Sequence, residues 1–206
     1  YGAPESRNQR VIEESQETPE NLYSICKVAG ELLVRRYKDL FGMSTVAGRM
    51  AAIYGPMERV TSSRGNPSII YKLISAHHRG SVVTARGGEV VSDYTHVEDA
   101  SWIWRNLALA DHLKHDIYNV SAGVAYSLND VLETLHQLDP TFRFRYVEPG
   151  ESVDVEIRPE SERGALDLTR VSADLDVRPR YNLEQGLGSY LNWVREYPTL
   201  FPPPPG

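Results

Sequence analysis

A tyrosine and a lysine stand four residues apart in the sequence, at Tyr23 and Lys27, within a stretch of amphipathic pattern. Residues i and i+4 lie on one face of a helix, so the Lys27 ammonium can reach the neighbourhood of the Tyr23 phenol. A nearby positive charge favours a phenolate, which can accept a proton from a substrate hydroxyl. The pair therefore predicts hydroxyl/carbonyl redox chemistry. On spacing alone, an amphipathic helix with Tyr23 in its apolar seam and Lys27 in solvent is the better explanation.

The elements that must position this pair are predicted from periodicity and capping residues. Residues 18–20 combine a capping hydroxyl, a first-turn proline and an acid, and helical spacing continues to about residue 41. The mostly apolar run 44–54 predicts one buried strand. Helices alternating with strands predict an α/β fold with a partly parallel sheet. The further predicted helices are 67–78, 97–109, 127–138 and 183–196, and the further predicted strands are 81–85, 90–94, 116–120 and 142–147.

Composition is that of a globular protein with a core. Of the 206 residues, 41% are hydrophobic and 24% are charged, which argues against disorder. The net charge of −6 argues against nucleic acid or an anionic membrane surface as the main partner, because both require a basic footprint. The sequence contains no run of about 20 apolar residues, so we predict no membrane span.

The cysteine and histidine content bears on metals and on the compartment. Cys26 is the only cysteine, which excludes an internal disulfide and a thiolate metal cluster and fits a reduced, cytoplasmic setting. The six histidines show neither His-x3-His nor His-Glu-x2-His spacing. We therefore predict no metal.

Four segments carry a family resemblance in their order along the chain. They are Tyr1-Gly2 followed by Tyr23-x3-Lys27, then Arg49-Met-Ala-Ala-Ile-Tyr-Gly-Pro56, then Ser92-Asp-Tyr-Thr-His-Val-Glu-Asp99, and a closing pattern over 167–193. In this order they resemble the extended short-chain dehydrogenase/reductase family, the NAD-dependent sugar epimerase/dehydratase group typified by UDP-galactose 4-epimerase. The resemblance covers nearly the whole chain and raises the catalytic interpretation of Tyr23 and Lys27 above the ordinary helix.

The resemblance also implies the fold. It implies the C-terminal part of a Rossmann-like doubly wound parallel sheet plus a smaller mixed α/β substrate-binding region. Residues 1–56 would form the second half of the Rossmann-like domain, and 57–206 mainly the substrate-binding region, with 90–121 partly returning to the sheet. The family's Gly-x2-Gly-x2-Gly turn does not occur in these residues. We expect that turn and the catalytic Ser/Thr upstream of Tyr1, and we expect the isolated chain to be inactive.

The resemblance implies the following chemistry. Tyr23 would act as general base and acid, and Lys27 would support it and bind the nicotinamide ribose. The backbone of Ala51 would approach the nicotinamide amide. NAD is the implied cofactor, with NADP left open, and the implied reaction is the epimerisation, dehydration or oxidation of a sugar-type substrate.

Two departures from the family pattern concern the substrate. Ala52 and Ser92 stand where many nucleotide-sugar enzymes carry an asparagine and an arginine that contact the substrate. A serine cannot replace a bidentate arginine–phosphate contact. This favours a sugar or sugar acid without the nucleotide, unless Arg64, Arg158 or Arg163 compensates. The competing interpretation of each arginine is a solvated surface residue.

Other interpretations are also open. His96 invites a catalytic role, but it precedes a predicted helix whose start Glu98 and Asp99 favour, so we interpret it as structural. The chain could belong to a non-catalytic member that keeps the fold for binding. It could also be a partner-binding domain that uses the Tyr23 helix as a dimer face. The resemblance implies a homodimer through that helix.

Overall fold

The computed structural model describes residues 10–15, 18–19, 21–62 and 65–201. The predictions on Tyr1-Gly2, on Arg64 and on the chain after residue 201 fall outside these ranges. The helices are α1 Leu22–Phe41, α2 Ile69–His78, α3 Val97–Leu109, α4 Leu128–Leu138, α5 Thr169–Leu175 and α6 Leu183–Glu196, with short 3-10 turns at Pro159–Ser161 and Pro198–Leu200. The strands are β1 Ala47–Met50, β2 Ala52–Tyr54, β3 Val83–Arg86, β4 Val91–His96, β5 Ile117–Val120, β6 Ala125–Ser127, β7 Phe144–Tyr146 and β8 Val155–Glu156.

Three small sheets organise these strands. Strand β1 pairs in parallel with β5, in register Ala47 with Ile117. Strand β4 lies between β2, which is parallel to it, and β6, which is antiparallel. Strand β3 lies between β7 and β8 and is parallel to both. The predicted α/β fold with partly parallel pairing is therefore confirmed, while the division of the chain at residue 56 stays a prediction.

Helix α1 starts later than the sequence pattern predicted. Thr18 was the expected cap, but the N-cap is Asn21, whose side chain accepts the Ser24 N–H at 2.9 Å. The Ser24 hydroxyl in turn accepts the Asn21 N–H at 3.2 Å, which completes a capping box. Asparagine is a stronger N-cap than threonine, so this reciprocal pair sets the start of the helix. The helix ends at Gly42, whose φ of +62° suits glycine.

The predicted single strand over 44–54 is wrong. The run forms two strands, β1 and β2, which belong to different sheets. Ala51 separates them, and its N–H donates to the Val120 carbonyl at 3.4 Å at the end of β5. After Ala51 the chain no longer pairs with β5 and pairs with β4 instead. The apolar pattern of residues 44–54 does not indicate this change of partner strand. Helix α5 and strands β6 and β8 were likewise not predicted.

Two apolar cores hold the elements together. One joins α2, α4 and α6 to the sheets of β3 and β4, and includes Tyr71, Leu132 and Tyr190. The other lies between α3, α5 and β5 and includes Ile103 and Leu107. Ala108, the neighbour of Leu107 in α3, is exposed because it lies one residue beyond the buried face.

Helix α1 presents its polar face to the rest of the chain and its apolar face to solvent. Ser24 and Glu31, seven residues apart, are its buried positions. The opposite side carries an apolar stripe, defined here as Leu22, Leu33, Tyr37 and Leu40, all of which are exposed. A soluble helix normally buries such a stripe. The arrangement therefore leaves a large apolar surface beside the Tyr23–Lys27 pair.

Candidate functional site

The Tyr23–Lys27 pair lies in the first turns of α1. The Lys27 Nζ is 5.2 Å from the centroid of the Tyr23 ring, so the predicted proximity of ammonium and phenol is present. The Tyr23 residue is 73% exposed. Within the described ranges neither side chain has a hydrogen-bond partner, so both polar groups are accessible to a ligand.

A buried ion pair fixes α1 to β1. The Arg49 guanidinium donates from Nε to Glu31 Oε2 at 2.9 Å and from Nη2 to Glu31 Oε1 at 2.8 Å. Both residues are buried, and this two-point contact restricts the relative rotation of the groups as well as their separation. Arg49 Nη1 also donates to the Glu13 carbonyl at 3.0 Å. The helix that carries Tyr23 is thereby tied to β1 and to the segment that precedes the helix.

Glu13 and Asn119 extend this buried network. The Glu13 carboxylate accepts the Asn119 N–H at 2.8 Å. The Asn119 side chain donates to the carbonyls of Val11 at 2.9 Å and Asp167 at 3.0 Å. Three separated segments therefore meet at the end of β5. Neither Glu13 nor Asn119 was identified from the sequence, since nothing local links positions 106 residues apart.

Ala51, Ala52 and Ser92 lie where the two sheets divide. Ala51 stands between β1 and β2, and Ala52 pairs with Tyr94 across β2 and β4. Ser92 lies two residues before Tyr94 and therefore on the same face of β4. Ala52 packs against the first core and offers a ligand no polar side-chain atom. The roles predicted for these three residues are not tested by this geometry.

The three candidate arginines differ in their surroundings. Arg163 is exposed, and its Nη1 donates to the carbonyls of Glu160 and Glu162 at 3.0 and 2.7 Å. The backbone N–H of Arg163 donates to the Val91 carbonyl at 3.0 Å. Arg163 therefore lies beside Val91, the residue that precedes Ser92. Arg158 is exposed and has no hydrogen bond from its side chain within the described ranges. Arg64 lies outside those ranges.

Asp93 is a further buried polar residue that the sequence interpretation did not single out. Its Oδ2 accepts the N–H groups of Gly123 at 3.2 Å and Leu166 at 3.1 Å, and its Oδ1 accepts the Thr95 hydroxyl at 3.0 Å. Burial raises the pKa of Asp93, although these hydrogen bonds lower it. The sequence signal that could have identified Asp93 is a charged residue inside a run that otherwise has the pattern of a strand. Asp93 holds β4 against the segments that follow β5 and precede α5.

His96 and Asp99 hold the start of α3. The His96 ring is the N-cap, its Nδ1 accepts the Glu98 N–H at 3.4 Å, and the ring stacks on Tyr181 at a centroid distance of 4.3 Å. Asp99 is fully buried and accepts the N–H groups of Arg180 and Tyr181 at 2.8 and 3.0 Å. This geometry agrees with the structural interpretation of His96.

The burial of His96 gives a pH-dependent stability. Burial lowers the pKa of His96 from its ordinary value of 6.5, against an opposing effect of Glu98 and Asp99. His96 therefore binds a proton more readily in the unfolded chain than in the folded one. The folded state should lose stability as the pH falls from 6.5 toward the lower pKa that His96 has in the fold. We expect His96→Asn, which keeps a capping side chain, to show a smaller fall in melting temperature than the wild type between about pH 7.5 and about pH 5.

Thermal denaturation followed by circular dichroism measures this difference. His112→Asn, at an exposed histidine, is the control and should retain the wild-type pH slope. An unchanged slope in His96→Asn would show that His96 does not contribute.

The described ranges lack two kinds of feature. No helix there is long and apolar enough to cross a membrane. No group of three or more His, Cys, Asp or Glu side chains there is placed to hold a metal ion.

Comparison with known proteins identifies the family. A sequence model of the NAD dependent epimerase/dehydratase family matches residues 1–121, which is more than half of the chain. The chain belongs to this family. The resemblance inferred from the Tyr23–Lys27, Arg49–Pro56 and Ser92–Asp99 motifs is therefore confirmed.

Other members of the epimerase/dehydratase family align over most of the chain. The dTDP-4-dehydro-6-deoxy-D-allose reductase of Streptomyces bikiniensis is 27% identical over 86% of this chain and 52% of its own length. The UDP-glucuronate 4-epimerase of Thermodesulfobacterium geofontis is 25% identical over 87% of this chain and 52% of its own length. The chain thus spans about half the length of these curated relatives.

Solved structures of the epimerase/dehydratase type share the fold. The dTDP-glucose 4,6-dehydratase of Bacillus anthracis, solved with NAD, superposes with a TM-score of 0.78 at 20% identity over 97% of this chain and 59% of that one. The UDP-glucose 4-epimerase of Thermotoga maritima, solved with UDP-glucose, gives 0.74 at 23% identity over 95% of this chain and 61% of that one. The predicted Rossmann-like α/β class is confirmed by this likeness.

Proposed function

We propose that the intact protein containing this chain is an NAD(P)-dependent epimerase, dehydratase or dehydrogenase that acts on the hydroxyl of a sugar or nucleotide sugar. The observation that carries the proposal is the accessible Tyr23–Lys27 pair on a helix that the buried Glu31–Arg49 ion pair fixes to β1. Membership of the epimerase/dehydratase family supports the reaction class.

The residues present fit the nicotinamide end of NAD. Tyr23 and Lys27 offer a hydroxyl and an ammonium, both exposed and without hydrogen-bond partners within the described ranges, to the hydroxyls of a ribose. Ala51 offers its backbone at the end of β1. When bound, NAD supplies the acceptor and donor of hydride. NADP is the alternative cofactor.

Tyr23 and Lys27 have separate roles in the proposed mechanism. The Tyr23 phenolate accepts the proton of the substrate hydroxyl as that carbon is oxidised, and the phenol returns the proton when a carbonyl is reduced. Lys27 stabilises the phenolate through its positive charge. Glu31 and Arg49 position the pair, because they set the rotation of α1 against β1.

Two substrate classes follow from the same site. The aligned relatives include enzymes named for UDP- and dTDP-sugars, which supports a nucleotide sugar. The alanine at position 52 and the serine at position 92 support a sugar or sugar acid without the nucleotide. In the first case we propose that Arg158, Arg163 or Arg64 takes the place of the missing arginine contact.

A substrate panel on the intact enzyme, followed by the absorbance of reduced nicotinamide, tests the proposal. Net accumulation of reduced cofactor indicates a dehydrogenase, and product without net reduction indicates an epimerase or dehydratase. Tight UDP-sugar binding would exclude the non-nucleotide alternative. We propose that the isolated chain has no such activity, and detectable NAD(H) turnover by the purified 206 residues would contradict that.

We further propose that residues 1–56 form part of the cofactor domain and 57–206 mainly the substrate region, with 90–121 returning to the cofactor domain. The pairing of β5 with β1 supports that return. A cytoplasmic location is proposed from the single, exposed Cys26.

We propose that the apolar stripe of α1 packs against a second copy in a homodimer. Four large apolar side chains on one exposed helix face support a protein partner. Leu33, 60% exposed near the middle of the stripe, should contribute strongly. We expect Leu33→Glu in the intact protein to raise the dimer dissociation constant by roughly 30-fold, which corresponds to about 2 kcal/mol.

Sedimentation velocity over a range of concentrations measures this change. Arg35→Glu, which places the same side chain outside the stripe on the same helix, should leave the dimer intact. A wild-type protein that is monomeric throughout, or a Leu33→Glu dimer of unchanged affinity, would contradict the proposal.

A further inference from the structure

The described part of the chain contains a cleft that neither Tyr23 nor Lys27 lines. Its volume is about 680 Å³, and it is bounded by the turn after β5, the sheet of β2 and β4, and the segment that leads into α6. None of the described residues proposed for catalysis, cofactor or substrate lines it. Two of its lining residues, Tyr94 and Tyr126, pair in register with Ala52 and Ser92, so the cleft adjoins these predicted substrate positions without including them.

The wall of this cleft is rich in arginine. Arg10, Arg178 and Arg180 line it, and its described lining includes no aspartate or glutamate. This concentration of guanidinium groups stands out in a chain of net charge −6. Arginine forms bidentate contacts with carboxylate and phosphate groups, so the local charge favours an anion.

The rim of the cleft is fixed before any ligand binds. The buried Asp99 carboxylate holds the backbone of Arg180 and Tyr181 at 2.8 and 3.0 Å. The Tyr181 hydroxyl donates to Glu98 at 2.7 Å, and its ring stacks on His96. Because these residues are already held in place, less conformational entropy is lost when a ligand binds.

Arg178 and Arg180 differ in their partners. Arg180 Nε is 3.9 Å from Asp99, and its guanidinium lies over the Trp102 ring, so part of its charge is already used. Arg178 is exposed and makes no ion pair within the described ranges. Arg178 is therefore the guanidinium most available to a ligand.

Neutral donors complete the wall. Tyr94 is only 5% exposed and lines the cleft, and its hydroxyl has no hydrogen-bond partner in the described part of the chain. Burial raises the pKa of Tyr94 to about 12, so the hydroxyl keeps its proton. The 14-residue helix α6 also begins at this wall with Asn182 as its N-cap, and a helix N-terminus favours negative charge. A buried donor without an acceptor is costly, so the Tyr94 hydroxyl favours a ligand that carries an acceptor.

We propose that this cleft is a second ligand site, which binds a small organic anion through its carboxylate or phosphate groups, with Arg178 and Arg10 as the principal contacts. The site does not depend on the proposed redox activity. Carboxylate and phosphate share the chemistry that the guanidinium groups recognise, so the probe must separate them.

Calorimetric titration of the 206-residue chain with inorganic phosphate and, separately, with citrate tests the site. We expect one of the two to bind at near-physiological salt, and the tighter probe identifies the preferred group. Arg178→Gln and Arg10→Gln should each weaken that probe by roughly tenfold, the loss of one charge-assisted hydrogen bond. Arg143→Gln, which removes an exposed arginine outside the cleft, should bind as the wild type does.

Chemical-shift mapping of the wild-type chain gives a second measurement that needs no variant. Titration with the same probe should shift the amide signals of Gly123 and Tyr181, which both line the cleft. The proposal is overturned if neither probe binds, if the cleft variants bind like Arg143→Gln, or if the shifted amides all lie elsewhere.

Discussion

Tyr23→Phe is expected to reduce kcat of the intact enzyme by roughly a thousandfold, within the range that a positioned general acid or base contributes. The substitution removes only the phenolic oxygen, and Tyr23 is 73% exposed, so the fold should not change. The substitution leaves Lys27 and Ala51, the other two residues proposed to contact the cofactor, unchanged. The loss should therefore appear in kcat, with a small change in KM, because proton transfer is a transition-state interaction.

Tyr37→Phe is the matched control for this experiment. Tyr37 lies on the same helix, is also exposed, and keeps its ring contact with Phe41 after the substitution. It should retain nearly full activity. Comparable losses in Tyr23→Phe and Tyr37→Phe would indicate that the helix surface, and not the Tyr23 hydroxyl, is required.

Arg49→Ala is expected to lower the free energy of unfolding by about 3 to 5 kcal/mol. The substitution leaves the Glu31 carboxylate buried without its bidentate partner and removes the donor to the Glu13 carbonyl. A buried charge without a partner costs far more free energy than the intact pair contributes. Removing one partner of the pair is therefore more destabilising than removing both. Urea denaturation of the 206-residue chain measures the change.

Two further variants separate the ion pair from general effects. Arg35→Ala removes an exposed arginine of α1 and should change the free energy of unfolding by less than about 0.5 kcal/mol. The double variant Glu31→Leu/Arg49→Met removes both charges and should be more stable than Arg49→Ala alone. Equal destabilisation by Arg49→Ala and the double variant would mean that the contact is not an ion pair of this kind.

Elements with strong local signals were predictable from the sequence. Helix α3 spans Val97–Leu109 and helix α6 spans Leu183–Glu196, as their periodicity predicted. The capping interaction between Ser127 and Asp130 at the start of α4 is also present, with the Asp130 N–H donating to the serine hydroxyl at 3.1 Å. Caps and apolar faces involve residues within a few positions of one another, so the pattern contains the information.

Features that depend on distant partners were not predictable. The division between β1 and β2 is set by their partners β5 and β4, which lie many residues later. The Glu31–Arg49 pair joins residues 18 apart and looks like two ordinary surface charges in the sequence. From the sequence, the apolar stripe of α1 is predicted to face the core, but it is exposed. Periodicity indicates that a helix face is apolar, but it does not indicate what covers that face.

The candidate site was only partly predictable from the sequence for the same reason. The Tyr23–Lys27 proximity follows from helical spacing, and the structure has it. The supporting residues Glu13 and Asn119 act through contacts between separate segments, so no short motif indicates them. The substrate roles of Ala52, Ser92, Arg158 and Arg163 stay predictions.

The most direct test of the Tyr23–Lys27 assignment is a single-turnover measurement on the intact enzyme. The enzyme loaded with oxidised cofactor is mixed with the active substrate from the panel, and the absorbance of reduced nicotinamide is followed in time. We predict a rapid rise in the wild type and in Tyr37→Phe, and a rise roughly a thousandfold slower in Tyr23→Phe. A rise of wild-type rate in Tyr23→Phe would contradict the assignment of Tyr23 as the proton acceptor.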